Sequence, residues 1–125
     1  MDRFHFYTEK IMLWNKKKKR IEKIELTENG FQVNNDDEIT QFQWSEIKKL
    51  TGYKVDRFTT DNICLEIDSN ITTSHATEEF EGWRIFINKM LIEFPQIDKN
   101  WEEIIAKPAF ERNKTGLYNR NKNVG

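Results

Sequence analysis

The sequence predicts an α+β fold: an antiparallel sheet or partial barrel of six to seven strands, capped by a C-terminal amphipathic helix and followed by a short second helix. Three observations carry this prediction. Apolar residues alternate with a period of two from residue 21 to residue 73, they recur with a helical period from residue 80 to residue 94, and the 125 residues suit one domain. We expect a helical or extended segment at 1–20, the β domain with its helices at 21–107, and a tail at 108–125.

The N-terminal segment combines an aromatic face with a dense positive charge. Phe4, Tyr7, Ile11 and Trp14 have the spacing of one helical face, and a strand is the alternative because aromatic residues are also frequent in strands. Five adjacent positive charges then favour solvent and end the segment. We call these residues the basic run, and they are Lys16, Lys17, Lys18, Lys19 and Arg20.

Short strands joined by turns are predicted from residue 21 onward. Ile24 and Leu26 share one side of a strand, Thr27–Gly30 supplies a turn, and Phe31 and Val33 resume the apolar face. This pattern predicts a β-hairpin. The later strands are predicted at Ile39–Trp44, at Ile47–Val55, around Ile63, Leu65 and Ile67, and around Ile71 and Thr73.

The helical period then returns and predicts a long amphipathic helix that ends at Pro95. Thr77 is the expected N-terminal cap, and the acidic residues that follow would lie in the first turn, where the helix dipole favours negative charge. A shorter helix is expected over Asp98–Ala106 and ends before Pro108. The apolar face of the long helix consists of Phe80, Trp83, Ile87, Met90 and Phe94.

The charge is balanced overall but divided along the chain. Twenty Lys and Arg stand against twenty-one Asp and Glu, which gives a net charge of -1 and argues against a nucleic-acid binder. Residues 1–23 hold eight basic and three acidic side chains, 24–103 hold seven and seventeen, and 104–125 hold five and one. An acidic body is therefore flanked by basic ends, and its charge would suit a basic partner.

Local spacing points to no catalytic or metal site. His5 and His75 are too far apart for a two-histidine ligand pair, and Cys64, the single cysteine, has no neighbouring cation to activate its thiol. Cys64 is expected to share a strand face with Asn62 and Glu66. We therefore expect a protein that is not an enzyme, with no catalytic residues, metal or cofactor, in a cytoplasmic setting that one cysteine suits.

The end of the longest predicted strand carries charges and an aromatic ring. Alternation places Tyr53 and Arg57 on the apolar face that Ile47 begins, whereas Lys54 and Asp56 point to the other side. Arg57 would then need a carboxylate or the C-terminal end of a helix as its partner. Two interpretations stand, a structural ion pair that orients the next loop or a surface that binds a partner. The candidate surface comprises Tyr53, Lys54, Asp56, Arg57 and Asp61.

The order of these elements resembles the bacterial pleckstrin-homology-like (PH-like) domains. The resemblance covers residues 21–94 and rests on the glycine-centred hairpin at Leu26–Phe31, the segment Trp44–Ile47 that leads into a strand, and the helix after the last strands. It implies a PH-like sheet or barrel capped by that helix. Domains of this type that bind phosphoinositides carry basic residues in an early hairpin loop, but here Thr27–Gly30 is acidic.

A second resemblance, over residues 44–120, is to a family of uncharacterised small bacterial proteins. The similar stretches are Tyr53–Asp56, Phe58–Thr59, Ile63–Leu65, Gly82–Trp83, Trp101, Pro108–Phe110, Asn113, Thr115, Leu117–Tyr118 and Arg120. Small proteins of this sort resemble immunity proteins of bacterial toxin systems. The resemblance implies a cytoplasmic binding or interaction protein whose partner is another protein, of which a toxin is one candidate.

The alternative function is a peripheral binder of membranes or anionic lipids. An aromatic helix beside the basic run could dock on an anionic surface, because each Lys or Arg near such a surface contributes about 1 kcal/mol. A solvated connector is the simpler interpretation, since the sequence holds no second anchor. We therefore rank a protein partner above a membrane surface.

Overall fold

The computed structural model describes residues 21–57, 60–107 and 114–123. These residues form seven strands and two α-helices, with short 3-10 turns at Trp44–Glu46 and Arg120–Asn123. No helix in these ranges is both long and apolar enough to cross a membrane. The elements are β1 Glu22–Leu26, β2 Gly30–Asn35, β3 Glu38–Gln43, β4 Ile47–Arg57, β5 Thr60–Ser69, β6 Thr73–Thr77, α1 Trp83–Glu93, α2 Trp101–Ala106 and β7 Thr115–Asn119.

The α+β class is confirmed, but the strands belong to two antiparallel sheets where the sequence predicted one. The first has the order β1-β2-β3, and the second has the order β6-β5-β4-β7. The predicted hairpin is present, with Leu26 opposite Phe31. The turn at Trp44–Glu46 separates β3 from β4, which is the first strand of the second sheet in chain order.

The fourth strand of the second sheet comes from the region predicted as a tail. In β7, Thr115 pairs with Gly52 and Tyr118 pairs with Leu50, so the strand lies along the edge of β4. Phe94, just after α1, contacts the ring of Tyr118 at 4.5 Å between centroids. The pairing partner is more than sixty residues earlier in the chain, which no local pattern could indicate.

A register shift in β4 reverses the predicted faces of that strand. The shift lies between Ile47 and Lys49, where one residue of β4 has no direct partner in β5. Such a bulge changes which side chains point inward. Beyond it the inward positions are Leu50, Gly52 and Lys54, so the prediction that Tyr53 lies on the face of Ile47 is wrong.

The long helix begins later than predicted. Thr77 belongs to β6, where it pairs with Cys64, and it does not cap a helix. Gly82 precedes α1 with a φ of 86°, in the left-handed region that favours glycine. A Cβ at Gly82 would also collide with the carbonyl oxygen of Ile24. The chain therefore makes a sharp turn against β1 before Trp83 starts the helix.

The core lies between the two sheets and the helices. Phe86 of α1 contacts Phe31 of β2, with 4.7 Å between ring centroids. The predicted apolar face of the long helix is buried throughout, although Phe80 and Phe94 lie outside α1 itself. The short helix α2 crosses β4 at Gly52, where the lack of a side chain admits Trp101.

One carboxylate joins the two helices. Glu102 of α2 accepts two hydrogen bonds from Arg84, at 2.8 and 2.9 Å, and one from the indole of Trp83 at 3.1 Å. A bidentate arginine–carboxylate pair fixes orientation as well as distance. Burial raises the pKa of nearby Glu78, and the negative charge of Glu102 adds to the increase.

Candidate binding surfaces

Three segments that are distant in sequence bring carboxylates to one end of the domain. The N–H of Asp36 donates to the carbonyl of Ile21 at 2.6 Å, and the N–H of Glu81 donates to the carbonyl of Glu22 at 3.1 Å. The β2–β3 turn, the start of β1 and the loop before α1 are therefore neighbours. We call this surface the acidic end, and its residues are Glu22, Asp36, Asp37, Glu38, Glu79 and Glu81.

The acidic end is a solvent-facing surface. Five of its six residues are exposed, and Glu22 is half-buried. The sequence predicted Glu79 and Glu81, together with neighbouring Glu78, in the first turn of a helix, but all three lie in the loop between β6 and α1. The basic run directly precedes Ile21 in the chain and lies outside the described residues.

The predicted set around Tyr53 is divided between the two faces of the second sheet. Lys54 and Asp61 lie on the inward face and Tyr53 lies on the outward face. The backbones of Asp56 and Arg57 pair with Asp61 and Thr60 at the end of the β4–β5 hairpin, and their side chains fall outside the description. The five residues therefore do not form a single surface.

Lys54 is a buried structural cation. Its side chain is 1% exposed, and its Nζ lies 3.4 Å from Asp61 Oδ2. The same Nζ donates to the carbonyl of Ala106 at 3.5 Å, at the C-terminal end of α2, where a positive charge is favoured by the helix dipole. Of the two interpretations above, this geometry supports the structural ion pair for Lys54 and Asp61.

The outward face of the same sheet holds a cluster that the sequence did not single out. We call it the Glu66 cluster, and it comprises Tyr53, Glu66, His75 and Lys114. Glu66 Oε1 lies 3.7 Å from His75 Nε2 and 3.6 Å from Lys114 Nζ. The Lys114 ammonium also stands 5.7 Å from the centroid of the Tyr53 ring. The rings of Tyr53 and His75 meet edge to face at 6.4 Å.

This cluster changes the acidity of Tyr53. The pKa of its phenol is raised to about 12, mainly by burial and further by charges at Cys64 and Glu66, which oppose a phenolate. Cys64 is buried and lies beside Glu66 on the outward face, as the alternation of β5 predicted. That alternation was the signal that could have found Glu66. The approach of His75 and Lys114 depends on strand pairing and was not predictable.

A groove of about 640 Å³ opens next to the Glu66 cluster. Thr51 of β4 and Gly116 of β7 are paired at its floor, and Glu66 and Lys114 line it. A Cβ at Gly116 would meet no atom within 4 Å, so the floor is open at that point. Its volume lies in the range typical of sites for small ligands.

Two further observations concern identity. Within the described ranges no group of three or more His, Cys, Asp or Glu side chains is placed to hold a metal ion. Comparison with known protein families, with curated proteins and with solved structures gave no match to this chain. Its function must therefore be argued from the surfaces themselves.

Proposed function

We propose that this chain is a bacterial, cytoplasmic, non-enzymatic binding module with a PH-like fold, and that it binds a basic surface of another protein through its acidic end. An immunity-type protein that masks a basic toxin is the biological role of this kind that the sequence resemblance implies. The observation that carries the proposal is the convergence of three separate segments on one exposed, carboxylate-rich surface.

The acidic end attracts a basic partner through electrostatic complementarity. Opposite charges across an interface steer the encounter of two proteins and exclude partners of the wrong sign. The surface is built on a rigid base, because Asp36 and Glu81 are both fixed by backbone hydrogen bonds to the start of β1. A backbone that is already held in place loses little loop freedom on binding.

The topology supports the PH-like part of the proposal. Two antiparallel meanders, β1-β2-β3 and β4-β5-β6, follow each other along the chain, and α1 comes after them and covers the core. A parallel bridge between Lys23 and Glu81 brings the chain after β6 against β1. The strand β7 after the helices is an addition to the order that the resemblance implies.

The experiment is capture of partners from native lysate with purified full-length protein, at low and at physiological salt. The test variant neutralises three carboxylates of the acidic end: Asp37→Asn, Glu79→Gln and Glu81→Gln. The control neutralises three elsewhere: Glu28→Gln, Glu46→Gln and Glu103→Gln. We expect a protein with a basic surface to be captured by the wild type and the control, lost with the test variant and weakened by salt. Equal capture by both variants, or no specific capture, would overturn the proposal.

The membrane alternative is tested with the same protein. Sedimentation with vesicles of anionic lipid, lost when Lys16–Lys19 are changed to Gln, would favour a lipid surface over a protein partner. We expect no sedimentation, because the carboxylates of the acidic end repel an anionic surface, and Ile21, the residue that follows the basic run in sequence, is hydrogen-bonded to Asp36 at that end.

A further inference from the structure

The Glu66 cluster already holds an ammonium group. Lys114 Nζ lies 3.6 Å from the Glu66 carboxylate and 5.7 Å from the centre of the Tyr53 ring. A carboxylate and an aromatic face together attract a cation more strongly than either does alone. Glu66 and Tyr53 are held by β5 and β4 in the middle of the sheet, whereas Lys114 lies just before the edge strand β7.

We propose that Tyr53 and Glu66 form a binding site for a lysine or arginine side chain, and that Lys114 occupies this site until a partner's cationic side chain displaces it. The inference rests on the proposed function in one respect, that the partner surface is basic. The proposed function relies on general electrostatic attraction at the acidic end, and this inference adds a specific site for one cationic side chain.

The exposures of the Lys114 and Glu66 side chains favour exchange of Lys114 for another cation. The Lys114 side chain is 69% exposed, and ion pairs that are so open to solvent contribute little to stability. The Glu66 side chain is 24% exposed, so the carboxylate is partly shielded from water and is held in place on β5. An incoming cation covered by a partner would lose solvent screening and interact with Glu66 more strongly than Lys114 does.

The groove beside the Glu66 cluster gives a partner's side chain access to Glu66. Glu66 and Lys114 both line it, and Gly116 leaves its floor without a side chain. A long aliphatic stem could lie over Thr51 and Gly116 while its charged head reaches Glu66. His75, on the far side of Glu66, contacts the same carboxylate and limits where the head can bind.

The test uses a defined probe, capped arginine (Nα-acetyl-arginine amide), with uncharged capped citrulline as its control. Binding is followed by NMR on the ring signals of Tyr53 and His75 in the full-length protein. In Lys114→Gln the site is vacant, and the apparent affinity should rise about two- to fivefold, the factor by which an exposed ion pair can compete. Lys107→Gln removes an exposed lysine elsewhere and should leave the affinity unchanged.

Two variants test the cation site and the adjoining groove separately. Glu66→Gln should abolish binding of capped arginine, and Gly116→Leu should block it because the added side chain enters the groove that Gly116 leaves open. Urea unfolding of each variant shows whether it is folded. The proposal is overturned if capped citrulline shifts the same signals, if Lys107→Gln matches Lys114→Gln, or if folded Glu66→Gln still binds.

The outcomes also separate this inference from the proposed function. If the acidic-end variant loses its partner while Glu66→Gln captures it as well as the wild type does, the proposed function stands and the cation site is wrong. If capped arginine binds as expected but no partner depends on the acidic end, the site stands and the proposed function is wrong.

Discussion

Replacing Gly52 by Ala tests whether α2 is packed as closely on β4 as the structure indicates. A Cβ at this position would lie 2.6 Å from Cδ1 of Ile105 and 2.9 Å from Cζ3 of Trp101. Carbon atoms pack without repulsion at about 3.5–4.0 Å, so α2 would have to move away from the sheet by about 1 Å. The hydrogen bond from Lys54 to the carbonyl of Ala106, already 3.5 Å long, would then be lost.

The expected cost follows from two opposing effects. Overpacking a core by one methyl group costs about 1–3 kcal/mol. Replacing glycine by alanine returns about 0.4–1 kcal/mol, because the unfolded chain has less conformational freedom to lose. The free energy of unfolding should therefore fall by about 1–2 kcal/mol, which moves the urea midpoint down by about 0.5–1 M at an m-value of about 2 kcal/mol/M.

The matched control is Gly116→Ala on the neighbouring strand. A Cβ there meets nothing within 4 Å, so only the gain from the unfolded state remains. We expect its midpoint to stay the same or to rise. Unfolding is followed by tryptophan fluorescence, to which the buried Trp101 contributes. Equal midpoints for the two variants would refute the inferred contact between α2 and β4.

Three further predictions concern the turn before α1 and two titrating groups. Gly82→Ala should destabilise the fold by about 2 kcal/mol or more in thermal unfolding, because the left-handed backbone and the contact with the Ile24 carbonyl both oppose a Cβ. An unchanged Tm would contradict the close turn of the chain against β1. The folded-state pKa of Tyr53, about 12, lies above its ordinary 10.0, so its contribution to stability should be present below about pH 10 and lost toward pH 12. In ultraviolet titration Glu66→Gln should lower this pKa, and no change would show that Glu66 does not act on Tyr53. The raised pKa of Glu78 shows that its charged form is unfavourable in the folded state, so Glu78→Gln should raise Tm at neutral pH. The gain should shrink as pH falls toward 4.5, because Glu78 then becomes neutral in the wild type as well. A gain in Tm that is independent of pH would exclude the charge of Glu78 as its cause.

Local periodicity was enough to predict the hairpin and the buried face of the long helix, because both depend on neighbours in sequence. It was not enough for the start of α1. Thr77 has the composition of a helix cap, but its pairing with Cys64 keeps it in β6, and Gly82 supplies the turn instead. Tertiary pairing outweighed a local preference of about 1 kcal/mol.

The candidate surfaces were also predictable only where they depend on neighbours in sequence. Alternation placed Cys64 and Glu66 together on one face, and the structure agrees. One unpaired residue near the start of β4 turns Lys54 inward, although the sequence grouped Lys54 with four other residues as a surface. The acidic end could not be found from sequence, because it depends on the closeness of Ile21, Asp36 and Glu81 in space.

The position of β7 makes the groove depend on a late part of the chain. Gly52 pairs with Thr115, and the floor of the groove consists of Thr51 beside Gly116. Before the groove exists, β4 must pair with a strand that is synthesised more than fifty residues later in the chain. Because a domain folds as a unit, translation has to pass Asn119 before the groove is complete, and until then this edge of β4 is open to pairing with another chain.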